Sequence, residues 1–410
     1  MLRDKKILLR LILFLLALGV AIYAFVNGVL QLGHRDSGYY DLDPTLEGQA
    51  ELFGSGVHLV YYFEGSSNEI RQKTVEVQKV YTDIQLRYYR LLDARTTYEG
   101  ITNLASLNQS PDTWLTLDPV LLEVLSDAQA RTDRGEGYSL LAGPLHQEWQ
   151  NLRYLEEPQD SDPLNDPEEA RKLEQLTALV HQPDEFVLTL DAASGRAQLH
   201  VGEAYRQWNA LEELDAPILD LNLLHDAYLL RFIARDMTER GYTDGYLYTD
   251  SGLSVMLDPA GTTVYTLIGS TDKGVAPLGE MRLDAPSTFV QFTAFMPTDS
   301  LYGYYTVSRG GETLLRHAYV DLESGDFRNV LLTAYLGADP DSLVEMAYEA
   351  VVLNQLSSPE DVRARVSALP EGWTCAYTLQ NDDKKLYAAP ASADRITPDS
   401  ESGYTLLTLP

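Results

Sequence analysis

Residues 117–149 read LDPVLLEVLSDAQARTDRGEGYSLLAGPLHQEW, and this stretch carries the strongest structural signals of the chain. Asp118 can cap the first free amide groups of a helix, and the proline that follows it fits the first helical turn. The spacing predicts a helix from Asp118 to Arg131. The Gly-Pro-Leu triplet beyond it reads as a loop against which Trp149 packs. This part of the chain is therefore predicted to be helical.

The patterns on either side of that stretch change in character along the chain. Helical patterns dominate before it and just after it. Beyond about residue 245, short apolar and aromatic runs alternate with turn residues, which is typical of strands. Helices first and mostly antiparallel strands later predict an α+β architecture. The predicted elements are a strand over 57–65, helices over 68–94, 204–214 and 340–354, a hairpin over 186–201, an acidic surface loop over 155–168 and a closing strand pair around 381–384.

The N-terminus carries the signal of a membrane anchor. Residues 1–10 are rich in basic side chains, and residues 11–31 carry no charge. About 20 apolar residues span a bilayer as a helix, and basic residues before them favour a cytoplasmic N-terminus. A cleaved signal peptide and a buried core helix stay open as alternatives. We expect a cytoplasmic tip and transmembrane helix over 1–32, a linker over 33–56 and an extracytoplasmic domain over 57–410.

Charge and cysteine content exclude several classes of partner and site. The 410 residues hold 31 Lys and Arg against 61 Asp and Glu, a net charge of −30 at pH 7. Such a chain repels nucleic acid and anionic lipid, so we expect no nucleic-acid partner. The one cysteine, Cys375, excludes an intramolecular disulfide and reads as a buried thiol in a strand. Export without disulfides indicates a bacterial cell membrane as the location.

Common catalytic and nucleotide-binding motifs are absent. The sequence contains no G-x-G-x-x-G, no Walker loop, no H-E-x-x-H and no C-x-x-C, and its 7 histidines show no metal-ligand spacing. A Ser-His-Asp triad stays open, although no local pattern marks one. The residues by themselves therefore predict an anchored, acidic, extracytoplasmic α+β domain of undefined role.

A resemblance to a known family adds to this picture. Residues 88–153 resemble the FAD:protein FMN transferase (ApbE-like) family, in which a Tyr-containing loop leads to an Asn, then to an Asp-Pro-led helix and a G-P-L…W element. HAYVDLESG, residues 317–325, is similar to the family's H-x-I-D-P-x-T-G, and residues 341–353 lie where the family has its metal-binding helix. The resemblance covers most of residues 57–355. The matching positions in the first segment are Tyr98, Asn108, Asp118, Gly137, Gly143, Pro144, Leu145 and Trp149.

The resemblance implies an ApbE-like fold, with mixed and antiparallel sheets and flanking helices, and it implies a set of site residues. Family members cleave FAD with the help of a hard cation, usually Mg²⁺, and pass FMN to a Thr or Ser of an exported partner protein. By position, the flavin cofactor would contact Tyr98, Asn108, Gly143, Leu145, Asp220, Tyr228, His317 and Asp321. By position, the metal would be held by the Leu223 carbonyl, Glu345 and Glu349.

Several family positions are changed where the phosphates would lie. In DLNLLHDAY, residues 220–228, Asn222 replaces a Gly, Asp226 replaces a Lys and Ala227 replaces a second Gly. Two unit charges about 4 Å apart interact by roughly 4 kcal/mol at an effective dielectric constant of about 20. A carboxylate in place of an ammonium therefore opposes the binding of a phosphate.

Further departures affect the turn and the metal helix. The family's Gly-Gly turn becomes Asp250-Ser251, with a glycine one place late, and its T-S-G-D-Y corresponds loosely to residues 298–302. Glu345 and Glu349 stand in place of an Asp and a Thr. Because they are four residues apart, they share a helix face, which reads either as a metal site or as a solvated acidic face.

Two hypotheses for the whole chain follow. The favoured one is a membrane-anchored ApbE-like domain whose flavin transfer is lost or reduced and which binds flavin or an envelope scaffold partner. The alternative is an active Mg²⁺-dependent transferase with a metal site rebuilt from Glu345, Glu349 and Asp226. A surface-binding module without flavin history is a third reading. Its 26 tyrosines are compatible with a sugar-binding surface, although strands favour aromatic residues anyway.

The stretch around the lost Lys has its own local alternatives. His225 beside Asp226 could form an acid–base pair, although neighbours in a helix point about 100° apart. We expect Asn222 to cap the helix. We also expect a core-facing apolar stripe, formed by Leu223, Leu224, Ala227 and Leu230.

Overall fold

The computed structural model describes residues 36–409 apart from residue 53, residues 272–273, residues 296–302 and residue 383. The predicted transmembrane helix over 11–31 and the counterpart of the T-S-G-D-Y motif lie outside the described residues. Within the described ranges, no helix combines the length and the apolar character needed to cross a bilayer.

Helices dominate the first part of the described chain, and their ends follow local signals. The long helix α2, Ser67–Leu92, has Ser66 as its N-cap, and the Ser66 backbone N–H donates to the Glu69 carboxylate at 2.8 Å. Helix α4, Pro119–Thr132, has Asp118 as its N-cap, as predicted, and the Asp118 side chain accepts from the Val120 N–H at 2.8 Å. The helices are α1 Leu46–Gln49, α2 Ser67–Leu92, α3 Leu104–Gln109, α4 Pro119–Thr132, α5 Gly143–Arg153, α6 Pro167–Val180, α7 Glu203–Glu212, α8 His225–Glu239, α9 Leu343–Asn354 and α10 Pro359–Ser367.

A nine-stranded sheet forms the centre of the fold, in the order β1-β2-β6-β7-β10-β13-β14-β15-β17. Its neighbours run antiparallel except β15 and β17, which are parallel. Its inner face packs on α2, α8 and α9 in one large apolar core. The strands are β1 Gly38–Leu42, β2 Val57–Phe63, β6 Gly245–Thr249, β7 Leu253–Met256, β10 Thr288–Thr293, β13 Leu331–Ala338, β14 Thr374–Leu379, β15 Lys385–Ala388 and β17 Thr405–Thr408.

Three smaller sheets surround the central one. The β16-β9-β8 sheet covers the outer side of β10, β13, β14 and β15 and closes a second apolar cluster around Leu278, Met281 and Tyr335. The strands of the smaller sheets are β3 Leu115–Thr116, β4 Phe186–Asp191, β5 Arg196–Val201, β8 Thr262–Thr271, β9 Gly274–Asp284, β11 Tyr305–Arg309, β12 Glu312–Arg316 and β16 Ile396–Pro398. The α+β prediction, with mixed sheets and flanking helices, is confirmed. Cys375 is a free, buried thiol in β14, also as predicted.

The structure differs from the predicted linker over residues 33–56. Gly38–Leu42 pairs with β2 as the edge strand of the central sheet, and Leu46–Gln49 forms a helical turn. Only Leu42 is fully buried in this strand, so its alternation of apolar and polar residues is too weak to be recognised in the sequence.

The predicted acidic surface loop contains one residue that the pattern did not mark. Asp162 is fully buried and holds the Arg316 guanidinium of β12, with Oδ2 and Nε 2.7 Å apart. The Tyr305 hydroxyl donates to the same carboxylate at 2.9 Å. The loop is therefore anchored to the β11–β12 hairpin by a buried ion pair.

Candidate functional site

A cavity of about 190 Å³ lies where the start of α8, the β6–β7 turn, β10 and α9 meet. It brings together Asn222, Asp226 and Ser251, three of the positions at which the sequence resemblance implies a departure from the family pattern. The cavity is therefore the candidate functional site. Its lining residues are Asn222, Leu223, Asp226, Ser251, Leu253, Val290, Gln291, Phe292, Tyr319, Ala347 and Val351.

The Asp226 carboxylate is the only acidic group among these lining residues, and both of its oxygens are engaged. Oδ1 lies 3.0 Å from His225 Nδ1, and Oδ2 accepts the Ser251 hydroxyl at 2.6 Å. Ser251 Oγ in turn lies 2.9 Å from Thr249 Oγ1. The neighbouring side chains of His225 and Asp226 thus do meet in the first turn of α8, although only Asp226 lines the cavity.

Electrostatics shift the pKa of both members of this pair. Burial raises the pKa of the Asp226 carboxyl, but the hydrogen bonds and charge of His225 and Ser251 outweigh it, and the pKa lies below its ordinary value. Burial lowers the pKa of the His225 imidazole, but its bond to Asp226 and nearby carboxylates outweigh that effect, and the pKa is raised. The cavity is thus lined by a carboxylate that stays anionic and is hydrogen-bonded to the His225 imidazole.

Asn222 does not cap α8 as predicted. It has a φ of +45° and opens a 3₁₀ turn over Asn222–Leu224, and α8 begins only at His225. The Asp220 side chain accepts the Asn222 N–H at 2.8 Å and so acts as the local cap. An Asn tolerates the left-handed region better than most residues, which is why it can adopt this positive φ.

The turn between β6 and β7 is held close to β10 by a glycine. Gly252 has a φ of +94°, and a Cβ at this position would lie 2.3 Å from the backbone oxygen of Gln291. The Gln291 N–H donates to the Gly252 carbonyl at 2.8 Å. Gly252 therefore sets the distance between this turn and β10, which carries the lining residue Gln291.

Helix α9 presents an apolar face to the cavity. Ala347 and Val351, four residues apart, line it. The acidic pair, Glu345 and Glu349, is offset by two residues and therefore by about 200° around the helix. The two carboxylates consequently face away from the cavity.

Arginines engage both of those carboxylates. Glu345 bonds Arg131, and its other oxygen lies 2.7 Å from Arg134 Nη1. Glu349 bonds Arg365, with Oε1 and Nη2 2.6 Å apart. Burial raises the pKa of Glu345, but the guanidinium groups outweigh it and the pKa is lowered. The acidic pair is part of an ion-pair network that joins α4, α9 and α10.

Comparisons with known proteins identify the architecture. No family model and no curated protein matches the sequence. Among solved structures, the chain superposes on the flavin transferase ApbE of Vibrio cholerae with a TM-score of 0.55 at 11% identity, covering 88% of this chain and 99% of that one. The apbe protein of Thermotoga maritima gives 0.53 at 13% identity, with 89% and 98% covered. The Pseudomonas stutzeri flavinyl transferase ApbE in its apo form gives 0.53 at 14%, with 90% and 96% covered.

The chain has an ApbE-like fold. The overlap runs over most of this chain and nearly all of each neighbour, so the central sheet and its helices share one topology with them. At these identities the likeness concerns the fold. The resemblance seen in the sequence is confirmed at that level.

Three of the residues that the resemblance predicts to contact a cofactor lie in or against residues 217–222, a segment beside the cavity. They are Asn108, Gly143 and Asp220. Asn108 accepts the N–H groups of Ile218 and Leu219 and donates to the Leu219 carbonyl at 2.9 Å. Gly143 packs so closely that a Cβ would lie 2.1 Å from the Pro217 oxygen. Asp220 follows directly and caps the 3₁₀ turn. These residues form the frame that holds residues 217–222 in place.

The other expected cofactor residues are distributed over the core. Tyr98 donates to Asp93 at 2.8 Å. Tyr228 is fully buried and donates to Asp127 at 2.6 Å, and Leu145 is fully buried. Of the eight expected residues, none lines the cavity, whereas the expected metal ligand Leu223 does. Their contact with a cofactor stays a prediction.

His317 and Asp321 flank the cavity residue Tyr319 in the sequence, and both contact Arg328. His317 is buried, its Nε2 donates to the Arg328 carbonyl at 2.9 Å, and its Nδ1 accepts the Tyr319 N–H at 3.2 Å. Burial lowers the pKa of His317 to about 4. Asp321 pairs with Arg328 at 2.6 Å and forms the turn that ends at Gly325. The pair organises this loop.

The cavity fits the family's metal and cofactor poorly. Its lining supplies one carboxylate whose oxygens are already hydrogen-bonded, whereas Mg²⁺ needs near-ideal octahedral oxygen ligands. Across the described residues, no group of three or more His, Cys, Asp or Glu side chains is arranged to hold a metal ion. The cavity volume of about 190 Å³ is also below the roughly 300–1,000 Å³ of pockets that bury drug-sized ligands. FAD is larger than a drug-sized ligand and would need still more space.

Sequence reasoning missed most of the lining. Val290, Gln291 and Phe292 come from β10, which the sequence shows only as one strand among several. The available signal was on α9, where a second i, i+4 pair of small and apolar residues runs beside the acidic pair. The sequence alone does not show which of the two pairs on this helix faces the cavity.

Proposed function

We propose that this protein is a membrane-anchored, extracytoplasmic member of the ApbE-like fold that has lost flavin transfer and acts as a binding module for an envelope partner. One observation carries the proposal: the face of α9 that lines the cavity consists of Ala347 and Val351, and the one carboxylate of the lining is Asp226. Methyl groups supply no ligand to a hard cation. A carboxylate at the position of the family's Lys repels a phosphate.

The magnitudes favour loss rather than reduction of activity. A phosphate charge about 4 Å from Asp226 would be opposed by roughly 4 kcal/mol at an effective dielectric constant of about 20. The hydrogen bond from His225 to Asp226 lowers this figure but does not supply the attraction that an ammonium would give. Phosphoryl transfer depends mainly on positioning and on charge stabilisation. The missing metal ligands and the missing cation therefore both affect the transfer step itself.

Flavin binding and AMP release test this proposal directly. The full-length protein is incubated with FAD and either Mg²⁺ or Mn²⁺, and retained flavin and released AMP are measured. We expect neither above the level of a protein-free control. Metal-dependent AMP release that Asp226→Asn abolishes would overturn the proposal and support the active transferase.

A repaired variant provides the matched control for a negative result. Asp226→Lys combined with Ala347→Asp and Val351→Thr returns a cation and two oxygen ligands to the cavity. We expect this variant to retain more FAD in the presence of Mg²⁺ than the parent. A control variant that carries Glu345→Ala in place of Ala347→Asp should retain no more FAD than the parent, because it lacks the added carboxylate and Glu345 faces the arginines rather than the cavity.

The location outside the cytoplasm is part of the proposal. It is supported by the uncharged stretch over residues 11–31, the basic residues before it and the single cysteine. A reporter phosphatase that is active only after export, fused behind residue 410, is expected to be active in a bacterial host. Deleting residues 1–32 should abolish that activity.

A further inference from the structure

The outer face of the central sheet is covered over only part of its width. The β16-β9-β8 sheet packs over β10, β13, β14 and β15, whereas the outward side chains of β1, β2, β6 and β7 stay partly exposed. Tyr39, Tyr62, Tyr246 and Tyr248 all point to this side, and we call them the tyrosine face. Tyr39 is 67% exposed and Tyr62 is 37% exposed.

The strand register assembles these side chains into one surface. Tyr39 lies opposite Tyr62 across β1 and β2, and their rings meet edge to face at 5.1 Å. On the neighbouring strand β6, Tyr246 lies opposite Val60, which is two residues before Tyr62 on β2. The ring centroids of Tyr246 and Tyr248 are 6.2 Å apart. A group of aromatic side chains that is exposed at Tyr39 and Tyr62 and half-buried at Tyr246 and Tyr248 is typical of interaction sites.

Two shallow depressions of about 460 Å³ and 360 Å³ lie on this surface. Exposed carboxylates border them: Asp41 at the first, and Asp244 and Asp258 at the second. None of the described residues that line either depression is a Lys or an Arg. Burial raises the pKa of the Tyr246 and Tyr248 hydroxyls, and the Asp41 charge adds to the rise, so both phenols stay neutral.

The charge of this surface points to the chemistry of its partner. The negative face of an aromatic ring attracts ammonium and guanidinium groups, and carboxylates do the same. A chain with a net charge of −30 repels acidic partners and attracts basic ones over longer distances. We propose that the tyrosine face docks a lysine- and arginine-rich segment of a partner protein.

The inference deepens the partner-binding half of the proposed function and rests on it. Its test contains no flavin and no metal, so its failure is distinguishable from that of the transfer hypothesis. The full-length protein is titrated into fluorescently labelled twelve-residue peptides that alternate Lys or Arg with Gly and Ser. A peptide of the same pattern with Glu, and a neutral chitin oligosaccharide, serve as competing chemistries. Binding is followed by fluorescence anisotropy.

We expect the basic peptide to bind and the acidic peptide not to bind. Raising NaCl from 50 to 500 mM should weaken binding, because exposed charges are screened within a few ångström at high salt. Tyr39→Ser with Tyr62→Ser, and separately Asp41→Asn with Asp258→Asn, should each lower the affinity about fivefold. Circular dichroism verifies that both double variants are folded.

Matched controls separate this surface from the general acidity of the chain. Tyr154→Ser removes a tyrosine that is 52% exposed elsewhere, and Asp394→Asn removes an exposed carboxylate near β16. Neither should change the affinity. Equal losses in the control and face variants, no peptide binding, or tighter binding of the oligosaccharide than of the basic peptide would each overturn the proposal.

Discussion

Glu345 and Ala347 are two residues apart on α9 and face opposite sides of it. Glu345 bonds Arg131 and Arg134, whereas Ala347 lines the cavity beside Asp226. The helix therefore has an acidic side that stabilises the packing of α4 against α9, and an apolar side that borders the candidate site. The same acidic residues that suggest a metal site in the sequence act as ion-pair partners in the fold.

Glu345→Ala is expected to lower stability without affecting metal binding. Arg131 is nearly buried and would lose one of its carboxylate partners, keeping Asp127 at 3.1 Å. Because hydrogen bonds to charged groups contribute about 1.5–3 kcal/mol and Glu345 is partly exposed, we expect a loss of about 1–2 kcal/mol in the free energy of unfolding. Urea denaturation measures it.

Glu360→Ala is the control for that change. Glu360 pairs with Arg363 at 3.0 Å but is 75% exposed, so its loss should stay within about 0.5 kcal/mol. Addition of Mg²⁺ should leave the melting temperature of the parent unchanged. A parent melting temperature that rises with Mg²⁺ and no longer does so in Glu345→Ala would identify Glu345 as a metal ligand instead.

His317 is expected to make the protein less stable as the pH falls. Its folded pKa of about 4 lies below the ordinary value of about 6.5 for histidine. Between these values the unfolded chain binds a proton that the folded chain excludes, so stability is full above about pH 6.5 and decreases below it. Between pH 7 and pH 5 this group should account for about 2 kcal/mol.

His317→Gln tests that assignment, because an amide can donate to Arg328 and accept from Tyr319 without titrating. The free energy of unfolding, measured by urea denaturation at several pH values, should decrease less steeply from pH 7 to pH 5 in the variant. His146, whose pKa burial also lowers to about 4, retains its own share of the slope. An unchanged slope would mean that His317 is not the titrating group.

Asp162→Ala is expected to destabilise the protein strongly. Arg316 is 2% exposed and would be left without its buried carboxylate, and Tyr305 would lose its acceptor. Breaking a buried pair on one side costs about 3–5 kcal/mol. Asp160→Ala, an exposed position in the same loop, should change stability by about 0.5 kcal/mol or less. Faster proteolysis of residues 155–166 in Asp162→Ala alone would accompany the loss.

Much of the fold was predictable because its signals are local. Asp118 and the proline after it define the start of α4, and alternation defines β2 and the β4–β5 hairpin. The apolar and aromatic runs beyond residue 245 do not mark strand β9, because Pro277 and Gly279 interrupt its pattern; both lie in a ladder whose partner β8 is bulged at Leu267 and Ile268. The edge strand β1 is too short to show an alternation. These elements depend on neighbours distant in sequence.

The candidate site was predictable only in part, for the same reason. The sequence resemblance singled out Asp226, and the structure places that residue in the cavity. The partner Ser251 and the apolar pair on α9 depend on which faces meet. Asn222 was expected to cap α8, but its positive φ reflects the geometry of residues 217–222, which Asn108 and Gly143 hold from outside.

Gly252→Ala is expected to destabilise the turn that carries Ser251. The new methyl group would lie 2.3 Å from the Gln291 carbonyl oxygen, and the backbone would keep a φ of +94° that alanine disfavours. Gly261 provides a control, since its φ is +96° but a Cβ added there would meet no atom within 4 Å. Gly261→Ala should therefore cost only the backbone strain of about 1 kcal/mol, and Gly252→Ala about 1–3 kcal/mol more. Urea denaturation of both variants measures the difference. Equal costs would show that the turn can move away from β10, in which case the bond between Ser251 and Asp226 would not be held in place by this glycine.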